Sequence, residues 1–271
     1  MPERVTVGDL SALVQRPTTE TGPPLLFVHG YFGRAIAFER MMSWFASRGH
    51  YCCAPDLRGH GDSLPDCDLG RVSIHVYADD IAKIARTMDH PIVIGHSMGG
   101  LIAQLIAMND SARGIVLLAP APPRGIPVIS LKLAVAQLRY MPAILGLRPV
   151  KPGRADLRAL VVNRVPDKER EVVLDMLVPD SGLAGLEMSI LGVPVDRDRV
   201  TVPVLVIAGD EDLFIPLSRA KRVASRYGAP IRVARGRGHM LIIEPGFEEV
   251  CDWIGEWLYA AGIGGSTGFL S

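Results

Sequence analysis

The chain carries no excess charge of either sign: 29 basic and 29 acidic residues among 271 leave a formal net charge of +0. No global field therefore draws it to nucleic acid or to an anionic membrane surface. A local basic patch stays open, because Arg219, Lys221, Arg222, Arg226, Arg232, Arg235 and Arg237 crowd one late stretch. A solvated helix face and strand ends account for the same residues. Long hydrophobic runs are lacking too. No apolar stretch approaches the roughly 18 residues a membrane span requires, and Met1 to Val7 shows no basic region leading into an apolar one, so neither a span nor a secretory leader is expected. The four cysteines (Cys52, Cys53, Cys67, Cys251) lack metal-ligand spacing. Their pattern fits a reduced, cytoplasmic setting, with the adjacent pair acting as small apolar groups in a buried strand. Repeats are absent, and the only low-complexity stretch is a flexible-looking tail at 262–271.

What the chain does have is a 48% apolar composition, enough for one large α/β sheet to form a single unit. Val5 to Val7 and Leu10 to Val14 around Gly8-Asp9 read as a hairpin. Leu25 to Val28, Ile92 to Ile94, Gly114 to Leu118 and Val204 to Ala208 are short continuous apolar runs, with Tyr51 to Ala54 a weaker one and Ile231 to Ala234 a last strand. Strands buried on both faces of a parallel sheet need such runs. Between them, Phe38 to Ser47, Val76 to Met88 and Leu101 to Met108 space their apolar residues at helical period. Strand–helix alternation predicts an α/β fold with a mostly parallel sheet and right-handed crossovers. The alternation lapses over residues 122–200, which open on dense proline and include an amphipathic stretch at Ile129 to Leu138. The expected organisation is a core at 1–121 and 201–261, a mostly helical cap at 122–200 and the tail at 262–271.

The strongest local signal is Ile92-Val93-Ile94-Gly95-His96-Ser97-Met98-Gly99-Gly100: a buried strand, Gly-x-Ser-x-Gly, then a helix. In that context the serine occupies a strained turn and the helix N-terminus directs partial positive charge at it. A serine hydroxyl needs a base to take its proton. Seven histidines are present, but only His239 follows Ser97; it lies in a loop after the Ile231 to Ala234 strand, on the sheet edge where α/β proteins place their chemistry. An acid must orient that base. Asp210, Glu211 and Asp212 all follow the Val204 to Ala208 strand and spacing leaves the three open, while Ala119-Pro120-Ala121 after the preceding strand offers no carboxylate.

Five segments together resemble the α/β-hydrolase superfamily, in its order: Leu26-Phe27-Val28-His29-Gly30-Tyr31, Asp56-Leu57-Arg58-Gly59-His60-Gly61-Asp62-Ser63, Gly95 to Gly100, Gly209-Asp210-Glu211-Asp212-Leu213-Phe214-Ile215-Pro216, and Gly238-His239. The resemblance implies an eight-stranded, mostly parallel sheet flanked by helices, with the helical cap after strand 6. It favours Asp212 as the acid, because the family places it third after the strand-end glycine. It also implies that the backbone N–H groups of Tyr31 and Met98 form the oxyanion hole, that His29 orders its loop, that Arg58 to Ser63 makes a tight turn beside the pocket, and that His96 packs beneath the nucleophile. The implied activity is that of a serine esterase or lipase-like hydrolase, using Ser97, His239 and Asp212 on a small-molecule ester without metal or organic cofactor. The apolar residues of Ile126 to Leu147 would either line an acyl pocket or merely dock the cap. The same triad serves thioesterases, lactonases, C–C bond hydrolases and acyltransferases, and a non-catalytic ligand-binding protein on the same scaffold is the alternative from another class.

Overall fold

A computed structural model describes residues 2–127 and 138–264. Eight strands form one sheet in the order β1-β2-β4-β3-β5-β6-β7-β8. The strands are β1 (Glu3–Val7), β2 (Leu10–Gln15), β3 (Leu25–Val28), β4 (Cys52–Pro55), β5 (Ile92–His96), β6 (Gly114–Leu118), β7 (Val204–Gly209) and β8 (Ile231–Ala234). β2 runs antiparallel to both β1 and β4, and every other neighbouring pair is parallel. The short apolar runs are the central strands because their residues alternate between two cores. Leu26, Val28, Val93, Ile115, Leu117 and Val206 face one side, where α2 (Ile74–Thr87), α3 (Met98–Met108) and α8 (Leu217–Tyr227) pack. Leu25, Phe27, Ile92, Ile94, Val116 and Ile207 face the other, covered by α1 (Glu39–Ala46) and α9 (Phe247–Ala260). The adjacent thiols of Cys52 and Cys53 are buried in β4, and burial raises both, Cys53 to about 12.

Strand order reverses at β3, which lies between β4 and β5. Chain leaving the C-terminal ends of β3 and β5 therefore diverges there, opening the crevice that such sheets use for ligands. The pair is in register from Leu25 opposite Ile92 to Val28 opposite Gly95, which sets the loop after β3 beside the turn after β5. Between β6 and β7 the described residues hold α4 (Met141–Leu145), α5 (Arg154–Leu160), α6 (Asp167–Met176), α7 (Gly182–Leu186) and one isolated bridge, Val150 to Asp180. Val162, Val173, Leu174 and Leu177 of this stretch share a core with Phe32 and Met240. The expected helix at Ile129 to Leu138 lies outside the described residues except Leu138, which begins a short 3-10 turn. The tail beyond Gly264 also lies outside them. Among the described residues no helix is long and apolar enough to cross a membrane.

Candidate active site

β5 ends at His96 and α3 begins at Met98, leaving Ser97 as the single residue of the turn, at φ 54 and ψ −116. That left-handed conformation costs a non-glycine residue roughly 1–3 kcal/mol and persists only where the surroundings enforce it. Here they do: Ser97 N–H donates to the Leu118 carbonyl at 2.9 Å, and the Ser97 carbonyl accepts from Gly100 and Ala121 N–H, both at 2.9 Å. The flanking glycines answer a need for close approach. A side chain on Gly99 would overlap the Val28 carbonyl of β3, and one on Gly95 the Gly99 carbonyl. Gly30 in the neighbouring loop stands close to the hydroxyl-bearing residue itself, since a Cβ there would lie 2.8 Å from Ser97 Cβ.

His239 and Asp212 reach the same point from β8 and β7. His239 Nε2 lies 3.1 Å from Ser97 Oγ, and its Nδ1 lies 2.8 Å from Asp212 Oδ2. A carboxylate only accepts, so Nδ1 carries the hydrogen and Nε2 presents its lone pair to the serine hydroxyl. The other Asp212 oxygen accepts from Phe214 and Ile215 N–H, each at 2.8 Å, which fixes the carboxylate plane. All three side chains are buried. Asp210 and Glu211 are turned elsewhere: Asp210 accepts from Gly236 N–H at 2.7 Å and pairs with Arg235, while Glu211 pairs with Arg164 at 3.2 Å.

The loop after β3 is held from below by His29. Its Nδ1 donates to the Gly30 carbonyl at 2.9 Å and its Nε2 accepts from Leu57 N–H at 2.9 Å, the bonding of a neutral imidazole. Burial, reinforced by the positive His60, pushes His29 down to about 4. Among the described residues no backbone carbonyl takes a hydrogen bond from Tyr31 or Met98 N–H. A mainly apolar cavity opens at Ser97, lined by Tyr31, Ile144, Leu157, Val161, Met188 and Phe214. The Tyr140 hydroxyl and Asp156 carboxylate, hydrogen-bonded together, are polar groups on its wall. A second, smaller compartment lies on the His239 side and shares Tyr31, Phe32, Val161 and Phe214 with the first.

An alpha/beta hydrolase family model matches residues 25–253. The chain belongs to that family. It is similar to a monoacylglycerol lipase of Mycolicibacterium smegmatis, with 27% identity over 90% of this chain and 91% of the relative. A pyrethroid hydrolase of Sphingobium wenxiniae is 27% identical over 77% of this chain and 78% of the other. Among solved structures, a thermophilic esterase from Thermogutta terrifontis superposes with a TM-score of 0.71 at 22% identity, covering 96% of this chain and 99% of that one.

Within this α/β hydrolase, sequence reasoning missed two groups that hold the histidine loop. His96, expected only to pack, donates from Nε2 to the His239 carbonyl at 2.9 Å, and burial pushes it down to about 3. Glu244 is buried, with its carboxyl pulled upward by that burial, and accepts from Gly238 N–H at 2.7 Å. The x residue of Gly-x-Ser-x-Gly was the available signal for the first; nothing local marks the second. Among the late basic residues, Arg232 pairs with Glu256, Arg235 with Asp210 and Arg237 with Glu249, while Arg222 and Arg226 donate to the Gly125 and Val195 carbonyls.

Proposed function

We propose that the protein hydrolyses carboxylic esters bearing small to medium apolar groups, through an acyl-enzyme on Ser97. The observation that carries this reading is the unbroken chain from Ser97 Oγ through His239 to Asp212, on a strained turn at the mouth of an apolar cavity. In it, Ser97 Oγ attacks the ester carbonyl carbon while His239 Nε2 takes its proton. The oxyanion is received by Tyr31 and Met98 N–H, each such donor being worth about 3–4 kcal/mol of transition-state stabilisation. Collapse breaks the bond to the alkoxy group, which leaves as an alcohol with the proton from His239. Water, deprotonated by the same nitrogen, then releases the carboxylic acid and restores Ser97. Asp212 keeps the imidazole in its Nδ1–H tautomer and balances the imidazolium. Residues 122–200 act as the cap over this site, and their Ile144, Leu157 and Met188 favour an apolar acyl or alkyl group. Relatives named as a lipase and a pyrethroid hydrolase support an ester as substrate.

The test is turnover of p-nitrophenyl esters of increasing acyl length beside a thioester and a lactone. The parent is expected to prefer an ester, label with a fluorophosphonate, and lose on the order of 10⁶ in kcat on Ser97→Ala. Ester turnover that survives Ser97→Ala overturns the nucleophile. A preference for the thioester or lactone keeps the triad and changes the substrate, and a parent that neither turns over nor labels is a binding protein.

A further inference from the structure

His60 and Asp180 have fully buried side chains and meet with Nε2 3.0 Å from Oδ2. The other ring nitrogen, Nδ1, lies 3.1 Å from the Arg58 carbonyl. Both nitrogens therefore face groups that only accept, an environment that favours the doubly protonated, positively charged ring. The groups packed around it are the neutral His29, whose ring centroid is 5.0 Å away, Tyr77 at 6.0 Å, and the Asp56 carboxylate. Burial by itself would neutralise His60, but the Asp180 charge outweighs it and raises the imidazole. Burial likewise works against Asp180, and the His60 charge with two backbone N–H donors lowers it.

Asp180 divides its oxygens among four partners, of which His60 is one. Oδ2 also accepts from Phe32 N–H at 3.0 Å; Oδ1 accepts from Tyr77 Oη at 2.9 Å and from Ser181 N–H at 2.7 Å. Phe32 is a non-glycine residue at φ 67, next in sequence to Tyr31. Its carbonyl is gripped as well, by Val178 N–H at 2.9 Å, and the Tyr31 hydroxyl donates to the Ser181 carbonyl at 2.6 Å. A left-handed phenylalanine is strained and persists only when its neighbours over-determine it. Here residues 178–181 supply that constraint on both sides of the residue.

We infer that Asp180, charge-balanced by His60, is a positioning residue that holds Phe32 in its strained conformation and so aims the Tyr31 N–H at the developing oxyanion. The inference rests on the oxyanion role proposed for Tyr31. A charge-assisted hydrogen bond is roughly twice as strong as a neutral one, which is what a strained peptide requires. A purely structural role, stapling residues 178–181 to the core, predicts lost stability with unaltered chemistry.

Asp180→Asn and His60→Gln separate the two. Both are assayed on the parent's best p-nitrophenyl ester, well below their melting temperatures and with folding checked by circular dichroism. Positioning predicts kcat lowered about 10- to 100-fold, short of the 10²–10³ lost when a donor is removed outright, with KM within about twofold. Fluorophosphonate labelling of Ser97 should slow by a similar factor, because phosphonylation uses the same donors. A folded variant with parental kcat and only a lower Tm overturns the inference, as does a loss confined to KM. If Asp180→Asn fails to fold, His60→Gln decides between the two roles in its place. Failure of the hydrolase reading is distinguishable, since it shows as a parent without Ser97-dependent turnover.

Discussion

Asp210 and Asp212 stand two residues apart at the end of one strand, yet only one faces the histidine. Asp212 Oδ2 holds His239 Nδ1 at 2.8 Å, while Asp210 closes the turn at Gly236. An amide at 212 offers either its own N–H or a weaker acceptor to Nδ1, so it favours the wrong tautomer of His239. Asp212→Asn is expected to lower kcat on the order of 10⁴. Asp210→Asn keeps an acceptor for Gly236 N–H and should leave kcat within about threefold, as a surface substitution away from the chemistry does. Equal losses in the two variants, measured on one ester, would sink the assignment of roles. The sequence Gly209-Asp210-Glu211-Asp212 could not separate these carboxylates by spacing, because they differ only in the direction the backbone gives each side chain. The resemblance to a family pattern pointed to Asp212; the hydrogen bonds to Phe214 and Ile215 N–H supply the physical reason it faces inward.

At the scale of elements, strands were legible because burial on both faces leaves a continuous apolar run, as in Ile92–His96 and Val204–Gly209. Helix starts were less so. α3 begins at Met98, three residues before the periodic reading placed it, since Gly99 and Gly100 carry no side chains to mark a helical face. α2 begins at Ile74 under a Ser73 cap, whose hydroxyl accepts from Val76 N–H at 3.1 Å. The site depends on how closely the β3 loop approaches the elbow. Gly30→Ala would set a methyl 2.8 Å from Ser97 Cβ and 3.1 Å from the His96 carbonyl, so the loop must retreat. The expected result is a kcat loss of about 10²-fold, the cost of one misplaced oxyanion donor, in a protein that still melts cooperatively. Parental kcat in Gly30→Ala would show that the loop has room to spare and that the donor lies elsewhere.

Across the whole molecule, four buried histidines give stability an opposite slope on either side of neutrality. Burial lowers His29 to about 4, His96 to about 3 and His50 as well, so below the ordinary imidazole value of 6.5 the unfolded chain binds protons that the folded one refuses. Stability therefore falls as pH drops below 6.5. His60 is raised, so the folded protein keeps a proton that the unfolded chain sheds above 6.5. Its contribution is complete below 6.5 and is lost as pH climbs through the raised value. Thermal melts across pH should peak near 6.5, and His60→Gln should abolish much of the alkaline decline while leaving the acid limb in place. An alkaline limb unchanged by His60→Gln would assign that decline to other groups.

The sequence by itself determined the sheet, through apolar runs and helical spacing, and it marked Ser97 and His239, because a strained turn and chain order leave local traces. The family pattern pointed to Asp212, but tertiary structure alone supplied its contact with the imidazole, and it alone decided that His96 braces the His239 backbone and that Asp180 reaches Phe32 across 148 residues. Those are statements about direction and contact between distant segments. Local composition sets which segments are buried, but only the register of β3 on β5 and the docking of 178–181 against the core fix where their polar atoms point.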